Sequence, residues 1–60
     1  MNFKKGDIIG YCNEFFEVDT NYGSSGSVWE VNDKFERTGV FINNFHWSAY
    51  GEDCKLIKSN

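Results

Sequence analysis

Sixty residues hold one small domain, 1–60, with 40% apolar and 25% charged side chains, a balance that excludes a disordered tail and a membrane segment. Six Lys/Arg against nine Asp/Glu give a net charge of -3, which removes the basic signature of most small nucleic-acid binders. Two Trp, three Tyr and six Phe stand beside no proline, more rings than a minimal core easily hides.

The first candidate strand covers residues 7–12. Residues 14–20 alternate, with Phe16 and Val18 on one face and Glu17 and Asp19 on the other. Residues 21–27 read as a loop whose glycines accept positive φ. The next strand, 27–32, places Trp29 and Val31 on one face and Val28 and Glu30 on the other. Asn32-Asp33-Lys34 is a turn into a strand over 35–43, with an irregularity at Gly39. Residues 48–53 form a turn or one turn of 3-10 helix, and 54–58 a closing strand. No apolar stripe at helical spacing persists for three turns. Five short strands spaced near ten residues predict an all-β fold, a small five-stranded SH3-like barrel with a short 3-10 turn before the last strand.

Within this order Phe3, Phe16, Trp29 and Phe41 fall where a core needs them. Tyr11, Tyr22, Phe35, Trp47 and Tyr50 fall in or beside polar segments, either capping the core ends or meeting a partner. The apolar runs, such as Val40-Phe41-Ile42, fall short of the about 20 residues of a spanning helix and the about 7–15 of a signal h-region. The expected compartment is therefore cytoplasmic, with Cys12 and Cys54 as reduced, buried or half-buried thiols. Burial in a chain this short is limited, so a partner or a second copy is one source of added stability.

Three stretches carry a family resemblance. Phe3-Lys4-Lys5-Gly6-Asp7-Ile8-Ile9 looks like the entry to many SH3-like barrels. Gly23-Ser24-Ser25-Gly26-Ser27-Val28-Trp29-Glu30-Val31 resembles the Gly-x-x-Gly-x-Val stretch of KOW-type barrels. Glu52-Asp53-Cys54-Lys55-Leu56-Ile57 resembles a closing strand after a 3-10 turn. In KOW domains the glycine loop follows soon after the first strand, with basic residues nearby. Here residues 12–22 intervene, bearing Glu14, Glu17 and Asp19 and no Lys or Arg. The Ala-Leu-Tyr-Asp-Tyr stretch and Trp-Trp pair of peptide-binding SH3 domains are also missing. The general look is similar to small accessory barrels of phages and prophages.

Catalysis finds little footing. His46 is the only histidine, and no second His and no Cys lies within ligand spacing of it. Asp33 with Glu36, and Glu52 with Asp53, sit in predicted turns, where carboxylates are ordinary solvated residues. The Gly23–Gly26 loop lacks the strand–loop–helix context and lysine of a phosphate cradle. The expectation is a non-enzyme without cofactor or metal, and a domain too small for a deep water-excluding pocket.

The expected function is protein binding, in the manner of a phage- or prophage-type accessory factor that modulates a host protein. The contact residues assigned are Phe35, Trp47 and Tyr50, with Glu14, Glu17 and Asp19 as an acidic rim. The alternatives are a KOW-like module binding nucleic acid or ribosomal partners through Lys4, Lys5, Lys55 and Lys58, and a structural homodimer.

Overall fold

Local turn chemistry decides where the strands of this chain start and stop. The structure, a computed structural model, describes residues 2–60. Five strands, β1 (Ile8–Tyr11), β2 (Glu14–Asn21), β3 (Gly26–Val31), β4 (Arg37–Phe45) and β5 (Lys55–Lys58), make one antiparallel sheet in the order β4-β3-β2-β1-β5. A one-turn helix α1 (Trp47–Tyr50) and a 3-10 turn (Gly51–Asp53) lie before β5. The chain ends pair as neighbouring strands, Gly10 opposite Lys55 and Ile9 opposite Leu56.

The β1–β2 hairpin closes through Cys12 and Asn13, at φ 53° and 62°. Two consecutive left-handed residues match the right-handed twist of the strands they join. The β3–β4 connection is held by Asn32, whose Oδ1 accepts from the N–H groups of Lys34 at 2.9 Å and Glu36 at 3.0 Å. The Phe35 N–H donates to the Asn32 carbonyl at 2.9 Å, and Phe35 sits at φ 63°. The strand expected from residue 35 begins instead at Arg37, because the Asn32 side chain takes up donors that a ladder would use. The irregularity expected at Gly39 is present. From Trp29 to Val31, β3 passes only Glu30, while β4 passes Thr38, Gly39 and Val40 between Phe41 and Arg37. Gly39 takes φ 101° in this bulge, a value that glycine reaches without steric cost.

Cross-strand register sorts the side chains onto two faces. Ile9 opposes Phe16, Val18 opposes Val28, and Val28 opposes Ile42. These line the core together with Phe3, Phe45, Trp47 and Cys54. The sheet is strongly curled. Phe45, on edge strand β4, lies 4.8 Å from the Phe16 ring on β2 and 6.1 Å from the Tyr11 ring on β1.

Trp47 closes the open side of this core. Its ring is fully buried, meets Phe3 edge-on at 5.3 Å, and its Nε1 donates to the Gly23 carbonyl at 2.9 Å. The Ser48 N–H donates to the Ser24 carbonyl at 3.1 Å, so α1 and the β2–β3 loop are tied along two rungs. The Gly23–Gly26 loop is therefore the seat of an indole.

Asp7 joins the two ends of the chain. Its carboxylate is buried and accepts from the Lys4 N–H at 2.9 Å and the Asn60 N–H at 2.8 Å. Burial opposes ionisation, but the Asn60 and Lys4 main-chain donors and the Lys4 charge outweigh it and hold the carboxyl below its ordinary value of 3.8. A carboxyl with a depressed folded pKa adds stability above its unfolded value and loses it as pH falls through the folded one. Thermal melts of wild type should therefore drop in midpoint below about pH 4. Asp7→Asn turns a charged acceptor into an amide whose NH2 confronts a donor, and is expected to cost about 1.5–3 kcal/mol near neutrality. The same variant should show a flatter acid limb. An unchanged acid limb would remove Asp7 from this role.

Candidate protein interface

The face of the sheet turned away from the core is not a plain polar surface. Register places Trp29 opposite both Glu17 and Phe41, and Val31 opposite both Phe15 and Arg37. Ile8, opposite Glu17 and Lys58, belongs to the same face. Charged and aromatic residues thus share two adjacent rows.

The rings interlock. Trp29 and Phe41 lie 4.7 Å apart between centroids, and the Arg37 guanidinium sits 4.6 Å above the Trp29 ring. Arg37 Nε also donates to Glu17 Oε1 at 2.8 Å, which fixes the guanidinium over the indole. Cation–π contacts at such sites contribute about 0.5–1 kcal/mol, and an exposed ion pair about 0–1 kcal/mol. Their main effect is orientation. Beside them Phe35 folds back from its turn to meet Phe15 edge-on at 5.7 Å, with Lys58 Nζ 6.0 Å from its ring. Ile8 and Val31 are buried on this second face, outside the main core. Phe41 stays 42% exposed.

Phe35 occupies the left-handed slot that glycine fills most cheaply in such hairpin turns. For a bulky residue this conformation costs on the order of 1–2 kcal/mol. The side chain placed there lies directly against the aromatic face.

The residues assigned to partner contact from sequence do not form one site. Trp47 is a correction: it is core, because the one-turn helix aims its indole inward to the Gly23 carbonyl. Tyr50, at i+3 on the same helix, packs against the core and stacks on Tyr11 at 4.1 Å. Of the acidic rim, Glu17 joins the aromatic face. Glu14 is exposed at the hairpin beside Tyr11. Asp19 turns elsewhere, taking Lys5 at 3.6 Å and the hydroxyls of Thr20 and Ser27. Sequence grouped three carboxylates that the structure separates.

Two rings expected in the core are also corrected. Trp29 and Phe41 lie on the outer face, because their strand positions alternate with Val28 and Ile42, which take the inner one. Phe3 and Phe16 are buried as expected, and Tyr22 is exposed. Cys54 is buried, and burial pushes its thiol pKa up. Cys12 is exposed rather than half-buried, because it forms the hairpin tip.

The lysines of the expected basic pole are dispersed in use. Lys5 pairs with Asp19 and Lys58 lies over Phe35, while Lys55 lines an open hollow of about 520 Å³ with Tyr11, Cys12, Glu14 and Asp53. That hollow is larger than the sequence suggested, yet it lies on the surface and excludes no water. Among the described residues, no three of His, Cys, Asp and Glu gather within metal-holding reach. No helix among them is long and apolar enough to cross a membrane. Comparison with family models, curated proteins and solved structures finds no match.

Proposed function

We propose that this chain is a non-enzymatic protein-binding module of SH3-like barrel type, and that it meets its partner through the outer face built by Trp29, Phe35, Phe41, Arg37 and Glu17. One observation supports this above all. The core is complete without these rings, yet they are grouped, with an ion pair held over Trp29, and left half-buried at Trp29 and Phe35 and exposed at Phe41. Clustered aromatic and arginine side chains are the composition of interface hot spots. The strain at Phe35 supports the same reading, since glycine would relieve it and lose the ring. The curled five-stranded sheet, the paired chain ends and the helical turn before β5 support the barrel. The general look of the sequence, similar to small phage and prophage accessory barrels, favours a host protein as the class of partner.

The face suits a partner segment offering one apolar anchor and a carboxylate. Phe41 and Trp29 supply the apolar floor, and the guanidinium N–H groups not used by Glu17 remain as donors. Capture of a protein from a bacterial lysate by tagged wild type should fall at least tenfold with Phe41→Ala, and comparably with Phe35→Gly. Both variants should retain a cooperative melt. Tyr22→Ala, at an exposed ring on the β2–β3 loop, should capture as wild type does. Capture that survives Phe41→Ala and Phe35→Gly would overturn the assignment. The KOW-like alternative through Lys4, Lys5, Lys55 and Lys58 is separated by a salt-dependent gel shift with RNA, which a protein-binding module does not produce.

A further inference from the structure

The two edges of the sheet are built differently. β5 is four residues long, Lys55-Leu56-Ile57-Lys58, with a lysine at each end. Short length and lysine are the usual devices that keep an edge from pairing. β4 is nine residues long, and from Thr38 to Phe45 it contains no charge and no proline. Eight of its nine residues are exposed or half-buried, including Val40 at 47% and Phe41 at 42%. Its pairing with β3 is irregular twice, around Gly39 and again where Asn43 and Asn44 pass Ser27, and the run Val40-Phe41-Ile42 lies between the two.

We infer that β4 pairs with the β4 strand of a second copy of this chain, antiparallel about a two-fold axis. This goes beyond the binding role proposed above and does not depend on it. With Phe41 on the axis, Phe41 faces its counterpart and Val40 faces Ile42 of the other copy. The apolar run Val40-Phe41-Ile42 is thus self-complementary across the axis, and it brings no charge against a like charge. Each copy bears a net charge of -3, so two copies approach with least repulsion along a neutral edge.

Closure favours the second copy over open assembly. Pairing β4 with β4 consumes both free long edges and leaves only the lysine-guarded β5 strands outside. Pairing β4 with β5 would leave one of each exposed and propagate. The symmetric arrangement also joins the two Trp29–Phe41 pairs into one strip across the axis. A single strand edge covers less than the about 800 Å² per partner of a stable interface, so the dimer is weak, with a dissociation constant of about 10–500 µM.

Sedimentation equilibrium of the full chain, from about 10 µM to about 1 mM, should show a monomer–dimer equilibrium with no larger species. Val40→Lys, at an exposed edge position, should weaken it at least tenfold, while Leu56→Lys on β5 should leave it unchanged. Near-UV circular dichroism checks that both variants are folded. Amide exchange should give the concentration-dependent protection within β4 alone, centred on residues 40–42, a readout independent of either variant. A monomer throughout, or dimerisation that resists Val40→Lys in the folded variant, would overturn the inference. So would protection mapped to β5.

Discussion

Trp47→Ala is expected to abolish cooperative folding at 37 °C. Replacing a buried tryptophan by alanine costs about 3–5 kcal/mol, and a domain of sixty residues commands roughly 3–9 kcal/mol in all. Trp47 is fully buried, meets Phe3 edge-on, and satisfies the Gly23 carbonyl. Truncation therefore empties the centre of the core and unseats α1 from the β2–β3 loop. Trp47→Phe separates the two contributions. It keeps much of the apolar burial but removes the hydrogen bond to the Gly23 carbonyl, a loss of about 0.5–1.5 kcal/mol. Urea titrations should rank wild type above Trp47→Phe and Trp47→Ala last. An alanine variant that melts like wild type would return Trp47 to the surface.

Gly26→Ala should be nearly as damaging, for the complementary reason. A methyl group at this position meets the outer edge of the Trp47 ring and the Thr20 carbonyl oxygen, both inside van der Waals range. Gly26 is not in the left-handed region, so its cost is one of space and not of backbone conformation. Overpacking of this kind costs about 1–3 kcal/mol. The Thr20 oxygen is main chain and cannot swing aside, which places the expected loss at the upper end. In the Trp47→Phe background the penalty should shrink without vanishing, since the smaller ring frees one obstacle and the carbonyl remains. Equal penalties in both backgrounds would show that the two residues are not in contact.

These two positions also show how far the sequence could be read. The Gly23–Gly26 stretch is visible as turn chemistry, but its role as the seat of Trp47 depends on a contact 24 residues along the chain. Trp47 and Tyr50 share one face of a helix of four residues, too short for helical periodicity to register. Sequence alone therefore leaves them as rings beside polar segments, either capping the core or meeting a partner. Alternation within β2 correctly puts Phe16 and Val18 against the core and Glu17 outward. Alternation within β3 correctly separates Trp29 from Val28, but not which of them faces inward. That choice is one of register, and the β2–β3 ladder slips between Val18 and Thr20. A slip of one residue exchanges the faces. Once Trp29 is set opposite Glu17, it and Phe41 go outward together.

The polar neighbourhood of Phe35 predicts a contact residue, and Phe35 does lie on the outer face. The reason is not polarity. Asn32 closes the turn through its own side chain and sends Phe35 back over Phe15. Glu17 likewise reaches the site through its pairing with Arg37, twenty residues along the chain. Composition indicated a surplus of rings; register determines which of them are surplus.

Under the proposed function Trp29, Phe35 and Phe41, and not the Tyr11–Tyr50 stack or the lysines of the chain ends, meet the partner. Hydroxyl-radical footprinting of the captured complex tests it most directly, because aromatic side chains report their own exposure. Oxidation of Trp29, Phe35 and Phe41 should fall on binding, while Tyr11, Tyr22 and Tyr50 remain as reactive as in the free protein. Protection of Tyr11 and Tyr50 with an unprotected Phe41 would move the interface to the other side of the sheet.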